Sequence, residues 1–186
     1  MILSNYRKRD KMYSTEELKI YYLFTFVDGK VSKEENRKFA QLCKSGEFGN
    51  YNKELIIGLC SSIIGEDEEK KERRITEAIK NIAEMFYREN DKQRILWNVI
   101  NIAYTDKEIA PSEEKIIDFL AKQFEIPKEI YDDMVDVADT MLALVNEQER
   151  LKALPEPDKN KIKAVKAKIK NLYKYVQALV EMADVK

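Results

Sequence analysis

The stretch Phe26-Val27-Asp28-Gly29-Lys30-Val31-Ser32-Lys33-Glu34-Glu35 decides how this chain is read, because it recurs as Tyr104-Thr105-Asp106-Lys107-Glu108-Ile109-Ala110-Pro111-Ser112-Glu113. In each copy an Asp closes one apolar run and a Glu seven positions later opens the next, and the copies are offset by 78 residues. Asp-Gly after a run of helical spacing ends a helix, since Gly takes the left-handed conformation there at no steric cost. Ser32-Lys33-Glu34-Glu35 has the form of a capping box, in which Ser and Glu side chains satisfy backbone N–H groups left unpaired by the first helical turn. Helix, turn and capped helix, used twice, predict an all-α chain with an internal repeat.

Upstream, Ser14-Thr15-Glu16-Glu17 reads as another capping box, followed by Leu18, Tyr21, Tyr22, Thr25 and Phe26 at helical spacing. Downstream of the first turn, Phe39 and Leu42 mark a second helix that fades at Ser45-Gly46. From Asn52 to about Ile64 the chain is apolar along much of its length, which predicts a central helix covered on several sides and ended by Gly65. From Glu66 acids precede bases, as a helix N-terminus prefers, and Ile75, Ile79, Ile82, Met85 and Phe86 follow. Asp91 can cap the next helix, which carries Ile95, Leu96, Val99 and Ile102, with Trp97 expected in the core. Pro111 suits the first position of the helix after the second turn, and Ile116, Ile117, Leu120 and Phe124 continue it until Pro127.

After Pro127 the rhythm lengthens. Ile130, Met134, Val137, Met141, Leu144 and Leu151 lead to Pro155-Glu156-Pro157-Asp158, after which Ile162, Val165, Ile169, Leu172, Val176, Leu179 and Ala183 recur at steps of three and four. Two long helices about a short turn predict an antiparallel hairpin arm at the C-terminus. Lys159, Lys161, Lys163, Lys166, Lys168, Lys170 and Lys174 decorate its second helix.

Composition narrows the chemistry. The 186 residues are 44% hydrophobic and 36% charged, a globular profile, and only five Gly and four Pro favour long helices over turn-rich sheet. A formal net charge of −1 supplies no global field toward nucleic acid or acidic membranes, so such a partner needs a local patch. The absence of His removes the usual general base and the commonest transition-metal ligand. Cys43 and Cys60 have neither zinc-site nor disulfide-framework spacing and read as reduced, buried small hydrophobes. Charge in the first ten residues and the lack of a long apolar run lead us to expect a cytoplasmic protein.

The chemistry-bearing candidates are the acids of the repeated turn. Asp28 and Asp106 face the negative ends of helix dipoles, a placement unfavourable by about 0.3–1 kcal/mol when exposed, and so call for a cation nearby. Glu35 and Glu113 sit at the third position of the following helices, where a carboxylate is favoured. Brought together about a pseudo-twofold axis, the four would form a set of hard oxygen ligands suited to calcium, magnesium or manganese. Lys30, Lys33 or Lys107 could supply the positive charge instead, and the acids could serve only to shape two turns. The spacing is not that of an EF-hand, since positions six and twelve are Lys33 and Phe39 in one copy and Pro111 and Ile117 in the other.

Helix, Asp-Gly or Asp-x, five residues and Glu, repeated about eighty residues on before Phe124-Glu125-Ile126-Pro127, resembles the TerB-like domain of tellurite-resistance proteins and is similar to the N-terminal region of DjlA-type co-chaperones. The resemblance spans roughly residues 14–145, leaving residues 1–13 as a tail and 146–186 as a helical extension. It implies a helical bundle with pseudo-twofold symmetry, a metal site at Asp28, Glu35, Asp106 and Glu113, and an interaction module in stress-response or membrane-surface complexes. Lys107 where the family has Gly, together with Glu108 and Pro111, departs from the pattern in the second turn.

The resulting expectation is a non-enzymatic protein-interaction module, with a divalent cation as its only candidate cofactor. A metal-dependent hydrolase is the enzyme alternative, weakened by the lack of a Gly-rich phosphate loop, a nucleophile–base pair and any His. The third class is nucleic-acid or anionic-lipid binding through the seven lysines, whose affinity would fall steeply with salt. The apolar stripes of the C-terminal helices also allow self-association.

Overall fold

The computed structural model describes residues 13–29, 31–44, 52–65, 67–86, 88–105 and 109–181. The N-terminal tail to residue 12, Lys30, Ser45-Gly46, Glu66, Tyr87, Asp106, Lys107, Glu108 and Ala183 lie outside the described residues. Within them the chain forms eight helices and no strand: α1 Thr15–Phe24, α2 Lys33–Lys44, α3 Asn52–Ile64, α4 Glu68–Ala83, α5 Glu89–Ala103, α6 Pro111–Gln123, α7 Lys128–Ala153 and α8 Lys159–Glu181.

Two helices carry the centre. In α1, Leu18, Ile20, Tyr21, Leu23 and Phe24 are all fully buried, because α2, α3, α4 and α5 pack around it. Helix α5 buries Ile95, Leu96, Val99, Ile100, Ile102 and Ala103 against α1, α2, α6, α7 and α8, and Trp97 joins the same core. Removing such side chains from water stabilises the fold by about 1.5–3 kcal/mol for each large aliphatic group.

The α3 segment departs from expectation. Despite its apolar sequence it buries Asn52, Ile56 and Cys60 on one side, while Leu55, Ile57 and Leu59 stay exposed, so it lies at the periphery and α1 takes the central place. Helix α5 starts before Asp91, with Arg88 as its N-cap, and Asp91 instead pairs with Arg94 at 2.8 Å.

Helix ends follow local chemistry. Ser32 Oγ accepts from the Glu35 N–H at 3.0 Å while the Glu35 carboxylate accepts from the Ser32 N–H at 2.7 Å, a complete capping box. Gly29 and Gly65 take φ of 80° and 59°. At Gly65 the Arg74 guanidinium closes over the backbone and donates to the Ile64 carbonyl at 2.8 Å, so a Cβ there would stand 2.7 Å from Arg74 Nη2. Pro111 occupies the start of α6. Asp158 opens α8 by accepting from the Asn160 and Lys161 N–H groups.

Helix α8 packs on α7 and also reaches the core through α5. Met134, Val137 and Met141 of α7 and Val176 and Val180 of α8 belong to the main apolar cluster. The Tyr175 hydroxyl donates to Asp133 at 3.1 Å. The extension is therefore fastened to the helical bundle.

Candidate functional site

The first acidic turn begins where α1 runs out. The Phe26, Val27 and Gly29 N–H groups donate to the Leu23, Phe24 and Phe26 carbonyls, which tightens the chain and leaves Asp28 exposed. Three residues after Gly29 the capping box starts α2, and Glu35 is only 2% exposed. At the second turn Glu113 is 3% exposed and its Oε2 accepts from the Ala110 N–H at 2.9 Å. Ala110 has no side-chain acceptor, so only the glutamate half of the box operates there.

Glu35 and Glu113 thus perform the same local task in the two copies. Asp106 is outside the described residues, so the convergence of all four acids is a matter for proposal. Among the described residues, no group of three or more Asp, Glu or Cys side chains comes together in a form that could hold a metal ion.

A second polar constellation lies between the two central helices. Ser14 accepts from the Glu17 N–H at 3.2 Å, as the sequence pattern predicts, but the Glu17 carboxylate turns inward instead of completing the box. It is fully buried and receives Arg94 in a two-pronged contact, Nε to Oε1 at 3.0 Å and Nη2 to Oε2 at 2.9 Å. The Tyr21 hydroxyl donates to the same carboxylate and accepts from the Asn98 amide at 2.9 Å. Tyr13 covers the guanidinium, its ring centroid 5.7 Å from Arg94 Cζ.

The electrostatics follow from this closure. Burial works against the Arg94 charge, and the Glu17 carboxylate more than offsets it, leaving the guanidinium firmly protonated. Burial, with Glu17 beside it, pushes the Tyr21 phenol well above its ordinary value. With its charge matched and its oxygens occupied, Glu17 acts as a clamp between α1 and α5. Sequence reading missed this pair because the Ser14 motif offers a local use for the same glutamate.

The seven lysines of α8 are all exposed. Lys161 reaches Asp158 at 3.9 Å, and among the described residues the other six form no ion pair. Cys43 and Cys60 are free, buried thiols, and burial raises them to about 12 and about 11 respectively. Neither is poised as a nucleophile. No helix among the described residues is long and apolar enough to cross a membrane.

Comparison with known proteins adds one finding. A family profile described as "Tellurite resistance protein TerB" matches residues 22–135, which takes in both acidic turns and ends within α7. Searches of curated proteins and of solved structures return no match.

Proposed function

The chain belongs to the TerB family of tellurite-resistance proteins, and from that premise we propose that it is a non-enzymatic module that holds a partner protein in a cytoplasmic stress-response or membrane-surface complex. The observation that carries this reading is a matched pair of exposed apolar residues. Val31 and Ile109 occupy corresponding positions in the two turns, each just before a helix cap, and are 39% and 38% exposed. An exposed apolar side chain at the same place in both turns is surface that burial against a partner would stabilise.

In this reading the two halves are related by a pseudo-twofold axis passing between α1 and α5, and α7 and α8 form an antiparallel hairpin. The Glu17–Arg94 and Tyr21–Asn98 contacts both span 77 residues, one short of the repeat offset, as contacts beside such an axis would. A cation is the finer part of the proposal. Calcium, magnesium or manganese would draw on Asp28, Glu35, Asp106 and Glu113, of which Glu35 and Glu113 also give one oxygen each to a cap N–H.

Isothermal titration with each of the three ions, on the parent and on Asp28→Ala/Asp106→Ala, tests the cation: heat in the parent that vanishes in the variant supports it, and a parent without heat removes it. The partner surface is tested separately. A protein co-purifying with the chain from its native host should be released by Val31→Asp/Ile109→Asp with helical content unchanged, whereas undiminished retention would sink the surface.

A second reading rests on α8. Lys159, Lys163, Lys166, Lys170 and Lys174 recur at steps of three and four and lie along one exposed face, where they could meet nucleic acid or an anionic membrane. Binding to DNA or to phosphatidylserine vesicles that is lost on raising salt, and lost when these lysines become glutamine, would favour it.

A further inference from the structure

A cleft of about 590 Å³ opens where α2, α5, α7 and α8 meet, a size within the range that encloses small organic ligands. Ala138, Met141, Leu142 and Val145 of α7 give it an apolar wall. Lys38 of α2 and Asn101 of α5 bring polarity to the same lining, which uses none of the four turn acids discussed above.

Two polar side chains in this lining are incompletely matched by the protein. Asn101 is nine-tenths buried, and its amide nitrogen has no hydrogen-bond partner. Buried donors are nearly always paired, and a rotation of the Asn101 side chain toward the cleft would let a bound acceptor pair this one, which the chain itself does not. Lys38 is half-buried, and its ammonium stands 5.8 Å from the ring centroid of Tyr173, also in the cleft lining. No carboxylate pairs with it among the described residues, and burial pulls its pKa below the ordinary lysine value.

A cation drawn out of water seeks a counter-charge, and an unpaired amide N–H seeks an acceptor; one carboxylate supplies both. The remaining charged groups of the lining, Glu34, Arg37 and Glu149, are exposed. Glu34 and Glu149 offset Arg37 and Lys38, so the lining offers no net positive charge to hold a dianion such as a phosphate monoester. The apolar wall asks for hydrocarbon.

We propose that this cleft binds a small monocarboxylate with an aliphatic tail, the carboxylate taken by Lys38 and Asn101 and the tail laid along Met141, Leu142 and Val145. Because Tyr173 closes one side, the bound acid also joins α8 to the helices of the TerB domain. Tyr104 and Thr105 of the second turn belong to its lining, but the residues that take the ligand are neither the proposed cation ligands nor Val31 and Ile109.

The test uses the full chain titrated calorimetrically with decanoate, decanol and decyltrimethylammonium, each below its aggregation threshold. Decanoate should bind saturably, and decanol should bind about tenfold more weakly, the order expected for losing one charge-assisted contact. Lys38→Met should bring decanoate down to the level of decanol while leaving decanol unchanged. Val145→Trp, which fills the cleft, should weaken both. Equal affinity for decanoate and decanol, or no saturable decanoate binding, overturns the proposal on the unaltered chain alone, whatever the variants do. Preference for the ammonium would overturn it as well.

Discussion

Glu17 shows how one residue can satisfy a local pattern and serve a tertiary one. Its N–H completes the Ser14 cap, while its carboxylate, fully buried, holds Arg94 from a helix 77 residues away. Replacing Arg94 by Met would leave an unpaired carboxylate in the core, and breaking a buried pair from one side costs about 3–5 kcal/mol. Glu17→Leu/Arg94→Met removes both charges and should recover most of that loss, since buried pairs are often matched by apolar residues of similar volume. Chemical denaturation of the parent, the two single variants and the double variant measures the coupling; a double variant as unstable as the worse single would contradict the clamp. This contact was not legible in the sequence, because a capping pattern is local and gives no sign that its glutamate is claimed from elsewhere. The capping box at Ser32 and Glu35 was legible for the complementary reason: all of its bonds lie within four residues.

At the scale of elements, helix existence follows from apolar spacing, whereas helix placement does not. The apolar run of α3 predicts a central position, yet Leu55 and Leu59 are exposed, because periodicity records how apolar a face is and not how many neighbours cover it. Both acidic turns could be located from their residues, but whether Asp28 and Asp106 meet depends on tertiary placement, which no spacing encodes. The α6–α7 junction gives a further case. Pro127 marks it in the sequence, but the turning residue is Glu125, whose φ of 53° is left-handed. Around it the Ile126 N–H donates to the Ala121 carbonyl at 3.0 Å and the Glu125 N–H to the Lys122 carbonyl at 3.1 Å, the pairing of a Schellman motif. That position favours Gly, and an L-residue there carries a steric penalty of roughly 1 kcal/mol or more. Glu125→Gly should therefore raise the midpoint of thermal unfolding by a few degrees, with the gain trimmed by the greater freedom of Gly in the unfolded chain. An unchanged or lower midpoint would show that the Glu125 side chain contributes more than its backbone strain costs.

Across the whole molecule, ionisable groups held neutral by burial link stability to alkaline pH. Burial raises the Cys43 thiol to about 12 and the Cys60 thiol to about 11. Burial, with hydrogen bonds to Asp139 and Asp118, raises the Tyr104 and Tyr131 phenols to about 12. These groups sit on or beside α2, α3, α5 and α7, so the effect belongs to the bundle and not to one helix. In the unfolded chain the thiols ionise near 9.0 and the phenols near 10.0, before their folded counterparts. Between roughly pH 9 and 12 the folded protein therefore holds more protons than the unfolded chain, and stability falls as pH rises through that window. Lys38 acts in the opposite sense, since its lowered pKa makes the folded state release a proton first, but it is one group against several. Thermal melts followed by circular dichroism should be nearly level from about pH 7 to 8, where every one of these acids is protonated in both states, and fall progressively above about pH 9. Cys43→Val/Cys60→Val removes the thiol part without exposing apolar surface, so the variant should lose less stability than the parent between pH 9 and 11. If the two profiles run parallel over that interval, the thiols are not what burial is protecting, and the alkaline loss must be assigned to the phenols alone.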